Sequence, residues 1–131
     1  MKPNTKAILL NASHNTIEFI TINSAEDIRK FGNFQLFDCV QIDENGNTAF
    51  VDDEGLLNGT NAGFLFLGKI GLHNMPEPLP LMGNIVILGT NDEGDSIDTT
   101  MTCEDAQDLF QQFCLVGRMM MPSDEEAFIK I

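Results

Sequence analysis

The chain has 131 residues with 20 acidic and 7 basic side chains, which give it a formal net charge of −13 at pH 7. This length predicts a single domain over residues 1–131 and leaves no room for a multidomain enzyme. The hydrophobic fraction of 43% is typical of a globular chain. No apolar run reaches the roughly 18 residues that predict a membrane-spanning helix. Nucleic acids and anionic membranes would repel so negative a protein, so we expect it to bind neither directly.

The first 51 residues predict four strands and a short helix. Residues 6–10 and 16–22 are typical of strands, and a turn-rich loop joins them. Ser24 suits a helix N-cap and the acids after it suit the positive end of the helix dipole, while Gly32 is expected to end this helix. Residues 37–42 then lead into an Asn-Gly pair, which indicates a hairpin with residues 48–51.

The rest of the chain predicts two central strands, an extended loop and a second helix. Residues 64–67 and 85–88 are short, wholly apolar runs, and three prolines between residues 75 and 80 force an extended loop between them. Thr102 is expected to cap the second helix and Gly117 to follow its end. Its buried face is expected to carry Ala106, Leu109, Phe110 and Phe113. These elements predict the α+β class, a mostly antiparallel β-sheet with one or two helices packed on one face.

The three cysteines predict neither a disulfide framework nor a zinc site. Cys39, Cys103 and Cys114 are odd in number, have no C-x-x-C spacing and lie among apolar residues. We expect buried, reduced thiols and a cytoplasmic location. We expect no metal and no cofactor.

Two segments imitate known ligand-binding loops. Residues 63–69 have the G-x-x-x-x-G-K spacing of a phosphate-binding loop, but Ile70 stands where Ser or Thr must reach magnesium, so a buried strand is favoured. Asp43, Asn45 and Asn47 imitate a calcium loop that lacks glycine at its sixth position, Thr48, so a hairpin with a polar tip is favoured.

No pattern of residues predicts a catalytic site. Residues 91–96 would hold a cation only loosely, and a solvated turn explains them. His14 lies in a turn and His73 lies beside the proline loop, and neither adjoins a serine or cysteine in an arrangement of nucleophile and base. Surface histidines are the simpler interpretation, and we expect the protein not to be an enzyme.

Three stretches of the sequence carry a family resemblance. They are Lys-Ala-Ile-Leu-Leu-Asn at 6–11, Phe-Val-Asp-Asp-Glu-Gly-Leu-Leu-Asn-Gly at 50–59, and residues 80–95, which end in Asn-Asp-Glu-Gly-Asp. With the acidic helix from Thr102, they resemble the family called domain of unknown function 3846 over about residues 6–114, leaving residues 118–131 as a C-terminal tail. The resemblance implies a phage, plasmid or other mobile-element setting in the cytoplasm, and it supplies no activity and no site residues.

These observations leave two principal hypotheses beside an unrecognised enzyme. The first is a small non-enzymatic accessory protein that binds a host protein or a small ligand through the proline loop and its neighbours. Its candidate surface consists of Phe64, Phe66, His73, Met75 and Pro78. A homodimer is open, because the apolar residues 127–131 would either finish the sheet or pair across a dimer.

The alternative is an acidic DNA mimic that inhibits a DNA-binding or restriction enzyme. Between residues 31 and 117 there are 14 acidic residues, opposed only by Lys69. The candidate mimic face consists of Asp52, Asp53, Glu54, Asp92, Glu93, Asp95, Glu104, Asp105 and Asp108. Mimicry requires these carboxylates to lie along one face of the molecule, as the phosphates of DNA do.

Overall fold

A computed structural model describes residues 2–54, 60–68 and 79–130 of the chain. Within these ranges the protein has two β-sheets and two short helices, which confirms the predicted α+β class with its mostly antiparallel pairing. The large sheet contains β1 (Thr5–Asn11), β2 (Thr16–Ile22), β3 (Phe37–Gln41), β4 (Asn47–Asp52), β7 (Ile85–Thr90), β8 (Ser96–Ile97) and β11 (Phe128–Ile129). The small sheet contains β5 (Ala62–Phe66), β6 (Leu79–Met82), β9 (Phe110–Val116) and β10 (Met119–Pro122). The helices are α1 (Ala25–Gly32) and α2 (Cys103–Leu109).

The large sheet is centred on the two most apolar strands. Its order is β11-β2-β1-β7-β4-β3, and β8 pairs with the end of β7. All described pairs are antiparallel except β11 with β2. Both neighbours of β7 meet it at Ile87, which pairs with Ile8 on one side and with Ala49 on the other. Strand β7 thus lies inside the sheet, between β1 and β4. Continuous apolar runs such as those of β1 and β7 are typical of strands that are covered on both faces.

Alternation along β1 shows why both of its faces are apolar. Ile8 and Leu10 point to the core between the two sheets, whereas Ala7 and Leu9 point to a second core. Helix α1 covers the second core through Ile28. Helix α2 contributes to the first core together with the small sheet. Helix α1 thus packs on one face of the large sheet, and α2 packs with the small sheet on the other.

Helix α1 begins and ends where the sequence predicts. Ser24 occupies the N-cap position, but its hydroxyl makes no capping hydrogen bond to the described backbone. The Asp27 carboxylate instead accepts a hydrogen bond from the backbone N–H of Asn23 at 2.8 Å. After Gly32 the chain turns through Asn33, which has a positive φ of 57° and donates its N–H to the Arg29 carbonyl.

Helix α2 is half the predicted length. Its start is as predicted, since Thr102 and Asp105 form a reciprocal capping box. It ends at Leu109, however, and the chain continues as β9. Phe110 and Phe113 are buried on opposite faces of that strand, so their three-residue spacing reflects a strand buried on both sides. Gly117, with a φ of 63°, opens the two-residue turn in which Val116 pairs with Met119.

The C-terminal segment completes the large sheet. Phe128 and Ile129 pair in parallel with Thr16 and Ile17, and the N–H of Lys130 donates to the Ile17 carbonyl at 2.8 Å. The first of the two outcomes expected for residues 127–131, finishing the sheet, is therefore confirmed for the described residues.

Position 89 requires glycine because the backbone just after β8 passes close to it. A Cβ at this position would lie 2.4 Å from the carbonyl oxygen of Asp98, which is a backbone atom with little freedom to move. We expect Gly89→Ala to lower the free energy of unfolding by about 2 kcal/mol, measured by urea denaturation. Gly94→Ala is the matched control, because Gly94 has a positive φ but nothing within 4 Å. Its cost is expected to be about 1 kcal/mol, and an equal loss in both variants would contradict the steric explanation.

Candidate functional site

The predicted interaction surface loses its two aromatic residues. Phe64 and Phe66 are fully buried between the sheets, where their rings lie 6.4 and 5.3 Å from that of Phe110, centroid to centroid. Neither ring is open to a partner, so the prediction is wrong for these two residues. The other three predicted contact residues lie outside the described part of the chain, namely His73, Met75 and Pro78.

The nine predicted mimic residues do not form one continuous face. Asp52 ends β4, and Asp53 and Glu54 follow it. Because β4 runs antiparallel to β7, with Asn47 opposite Gly89, the acids of the β7–β8 turn lie at the other end of the sheet. Five strand residues separate these ends by about 17 Å. The turn acids at that other end are Asp92, Glu93 and Asp95.

The acids of α2 belong to the same end as the β7–β8 turn. Thr100, two residues before the N-cap, accepts a hydrogen bond from the Asn47 side chain at 2.9 Å, which fixes the start of the helix there. Asp105 and Asp108 line a depression of about 330 Å³ together with Asp43. Glu104 instead faces a groove beside β2. Six of the predicted residues thus gather toward one end of the large sheet, and Asp52 to Glu54 do not.

The Asp43 carboxylate organises the β3–β4 turn. One oxygen accepts the backbone N–H groups of Asn45 and Asn47 at 2.9 and 3.0 Å, and the other accepts the Asn47 side-chain amide at 2.7 Å. These bonds explain the calcium-like spacing as a hairpin with a polar tip. Within the described ranges, no three His, Cys, Asp or Glu side chains are grouped to hold a metal ion.

The three cysteines differ in their exposure to solvent, which the sequence did not indicate. Cys103 is buried as predicted, but Cys39 and Cys114 are exposed, which corrects the expectation of three buried thiols. Desolvation, with the Asp38 charge as the lesser cause, raises the pKa of Cys39. Desolvation, followed by the Glu104 charge, raises the pKa of Cys103. A raised thiol pKa disfavours the thiolate, so neither environment activates a nucleophile.

His14 is an exposed turn residue, as predicted. Its Nδ1 lies 3.0 Å from the Ser13 hydroxyl oxygen and 3.2 Å from Oδ1 of Asn11, all within the β1–β2 turn. These local contacts hold the turn in place. They bring the imidazole to no acid and no cysteine.

A groove lies beside β2. It has a volume of about 440 Å³ and lies between β2, β11 and the first turn of α2. An ion pair between Glu18 and Lys130 at 3.7 Å borders it, and the Lys6 ammonium lies 4.2 Å from the centre of the Phe19 ring. The charges of Glu18 and Lys130 at the groove therefore pair with each other, and Glu104 faces the same groove.

Of the nine exposed large apolar side chains in the described residues, four lie in the hairpin of β9 and β10. We call residues 114–122 the methionine hairpin, after Met119, Met120 and Met121. All four residues of β10 are exposed, and Met119 keeps 66% of its accessible surface. Val116, opposite Met119 across the turn, keeps 65%. The small sheet thus extends apolar side chains into solvent.

One face of the methionine hairpin continues the inner face of the small sheet. Gln112 marks that face, because its side-chain amide donates at 2.9 Å to the carbonyl of Ala12, in the turn after β1, and lies 3.6 Å from the Cys114 sulfur. Since side chains alternate along a strand, Cys114 and Val116 share this face, and their pairing partners Met121 and Met119 lie there as well. Beyond Gln112, no described strand of the large sheet covers this inner face. The face is therefore exposed to solvent and accessible to a partner.

Pro122 limits the way in which a partner can use this hairpin. Ser123 donates its N–H to Gln112 of β9 at 2.8 Å, so alternation points the backbone groups of residue 122 to the outer edge of β10. Proline has no N–H to offer there, and it blunts the edge against addition of another strand. Recognition of the hairpin therefore depends on its side chains.

The sequence contains a signal for this hairpin. Apolar residues flank the Gly117-Arg118 pair on both sides, and glycine at the first turn position is typical of two-residue hairpins. The helical spacing of Phe110 and Phe113 masked that signal.

Comparison of the chain with family models, with curated proteins and with solved structures returned no match. Neither helix in the described residues is long and apolar enough to cross a membrane.

Proposed function

We propose that this protein is a small non-enzymatic accessory protein that binds a host protein through the methionine hairpin. The observation that carries the proposal is the exposure of Val116 and the three consecutive methionines on a projecting two-stranded ribbon. Contiguous apolar surface exposed in this way marks interaction sites, and flexible methionine side chains adapt to a partner's shape. Phage or mobile-element proteins of the kind implied by the family resemblance fit such a role in the cytoplasm.

The charge around the hairpin favours a basic partner. Asp124, Glu125 and Glu126 follow β10 directly and are exposed, while Arg118 is the one charged residue between Phe110 and Ser123. A cleft with apolar walls and a border of Lys and Arg would bury the methionines and pair with this acidic segment. The net charge of −13 would add long-range attraction to such a partner.

A second copy of the chain fits this surface less well. Two molecules of charge −13 repel each other. Four partly exposed side chains on each copy would bury about 800 Å² in total, which is below the size of a stable interface. A cleft that encloses both faces of the ribbon would bury more.

Two other hypotheses from the sequence receive less support. The division of the nine acids between both ends of the large sheet weighs against DNA mimicry, which needs one continuous face. The groove beside β2 would admit a small ligand, but the Glu18–Lys130 pair and the Lys6–Phe19 contact already engage three of the side chains that line it.

The test compares hairpin and control variants in affinity capture from host cells, followed by titration with the purified, captured protein. We expect Met119→Ser combined with Met121→Ser to weaken binding at least about tenfold, because each change removes apolar area at the contact. The matched control is Leu36→Ser combined with Ile97→Ser, two exposed apolar residues elsewhere. It should bind like the unmodified chain.

Salt provides an independent criterion in the same titration. Raising the ionic strength should slow association with a basic partner while leaving the effect of the hairpin variant in place. Equal binding by the hairpin and control variants, or a captured protein that is itself acidic, would count against the proposal.

A further inference from the structure

The methionine hairpin exposes three thioethers to solvent, those of Met119 and Met121 on one face of β10 and that of Met120 on the other. Met119, Met121 and Met120 keep 66%, 49% and 39% of their accessible surface. Met101 provides an internal contrast, because it keeps 6% and packs in the core between the sheets. Thioether oxidation follows exposure, so the same residue type should react very differently at these two places.

The hairpin can accept a polar group without loss of the fold. Every residue of β10 is exposed, and its backbone pairing with β9 does not involve the methionine side chains. A sulfoxide oxygen at Met119 or Met121 would lie in water. At Met101 it would be forced into the core without a partner, which is costly.

We propose that Met119, Met120 and Met121 form a site of reversible oxidation that switches the methionine hairpin from an apolar to a polar surface. The oxidant is a peroxide. A lone pair of the thioether sulfur attacks one peroxide oxygen, the S–O bond forms and the O–O bond breaks. Sulfur is oxidised by two electrons, and the proton of the attacked oxygen moves to the other oxygen, which leaves as water when the oxidant is hydrogen peroxide. Methionine sulfoxide reductases, with a dithiol as reductant, reverse the step.

The switch would regulate the same surface that the proposed function uses, and in that respect it rests on the proposed function. Sulfoxides on neighbouring side chains replace an apolar strip with strong hydrogen-bond acceptors, which must be desolvated when a partner closes over them. Partner binding should therefore weaken when the hairpin is oxidised and recover after reduction.

The experiment treats the full chain with hydrogen peroxide and maps oxygen incorporation by mass spectrometry against time. We expect Met119 and Met121 to oxidise at least about tenfold faster than Met101. On a hydrophobic-interaction column, the oxidised chain should elute earlier than the untreated chain, and methionine sulfoxide reductases should restore its elution.

The control replaces Met119, Met120 and Met121 with leucine, which keeps the apolar volume and removes the sulfur. Its elution should shift much less with peroxide than that of the unmodified chain, because its four other methionines lie outside the hairpin. Similar oxidation rates at Met101 and Met119, or the same elution shift in the leucine variant, would overturn the inference. Both readouts need no partner, so they stand even if the proposed function fails. With a partner in hand, peroxide should weaken binding of the unmodified chain about tenfold and leave the leucine variant unaffected.

Discussion

Replacement of Phe64 with alanine is expected to lower the free energy of unfolding by about 4 kcal/mol. The ring is fully buried between the two sheets and meets that of Phe110 edge-on at 6.4 Å. Removing it leaves a cavity that rigid strands on both sides cannot close. The measurement is urea denaturation followed by circular dichroism, with the midpoint and slope fitted separately.

Phe19→Ala is the matched control for this prediction, because the same ring stands half exposed in β2 beneath the Lys6 ammonium. Its loss is expected to be below about 1.5 kcal/mol, mostly from the cation–π contact. Similar losses for the two phenylalanines would show that Phe64 is not in a sealed core, and would return it to the candidate interaction surface.

Replacement of Asn47 with alanine is expected to cost about 3 kcal/mol. Asn47 is fully buried, and its side chain ties the β3–β4 turn to the segment before α2. Its oxygen accepts the Thr99 hydroxyl at 2.7 Å and the Thr100 N–H at 3.2 Å, and its amide donates to Asp43 and to Thr100. Alanine would remove the hydrogen-bond acceptor of the buried Thr99 hydroxyl and of the Thr100 N–H. It would also remove the donor to Asp43 and to the Thr100 hydroxyl.

Asn91→Ala is the control, because it removes similar hydrogen bonds from an exposed turn instead of from the buried network. The Asn91 oxygen also accepts two backbone N–H groups, those of Glu93 and Asp95, but in an exposed turn where water can replace it. We expect a loss of about 1 kcal/mol or less by the same denaturation measurement. A loss at Asn47 no greater than that at Asn91 would mean that the network adds nothing to stability.

The strands of the large sheet were predictable because local composition and burial agree there. The runs around Leu9 and Ile87 are apolar without alternation, and both strands are covered on two faces. The Asn-Gly pair correctly placed the β3–β4 hairpin, with Gly46 at a φ of 86°. What local sequence does not contain is the division of strands between two sheets, since that depends on pairings between distant segments.

The candidate site was not predicted, for two separate physical reasons. Phe110 and Phe113 have a spacing that fits a helix face and equally fits a strand buried on both sides, and periodicity alone does not distinguish them. Phe64 was assigned both to a central strand and to a contact surface, although a strand covered on both faces leaves nothing to contact. The methionine hairpin was therefore hidden within the predicted second helix and the C-terminal tail.

The central pairing of β1 with β7 has a consequence for how fast the chain folds. It joins residue 8 to residue 87, and β7 then receives β4 on its other side. The β1–β2 and β3–β4 hairpins close over short loops. Each remains a separate two-stranded sheet until residues 85–90 pair with β1 and β4. Loop closure over such distances must precede most of the stabilising contacts, so we expect folding on the millisecond-to-second timescale of non-local β proteins. Until then the apolar strands of both hairpins are exposed to other chains, which makes the interval before β7 docks the period of greatest aggregation risk.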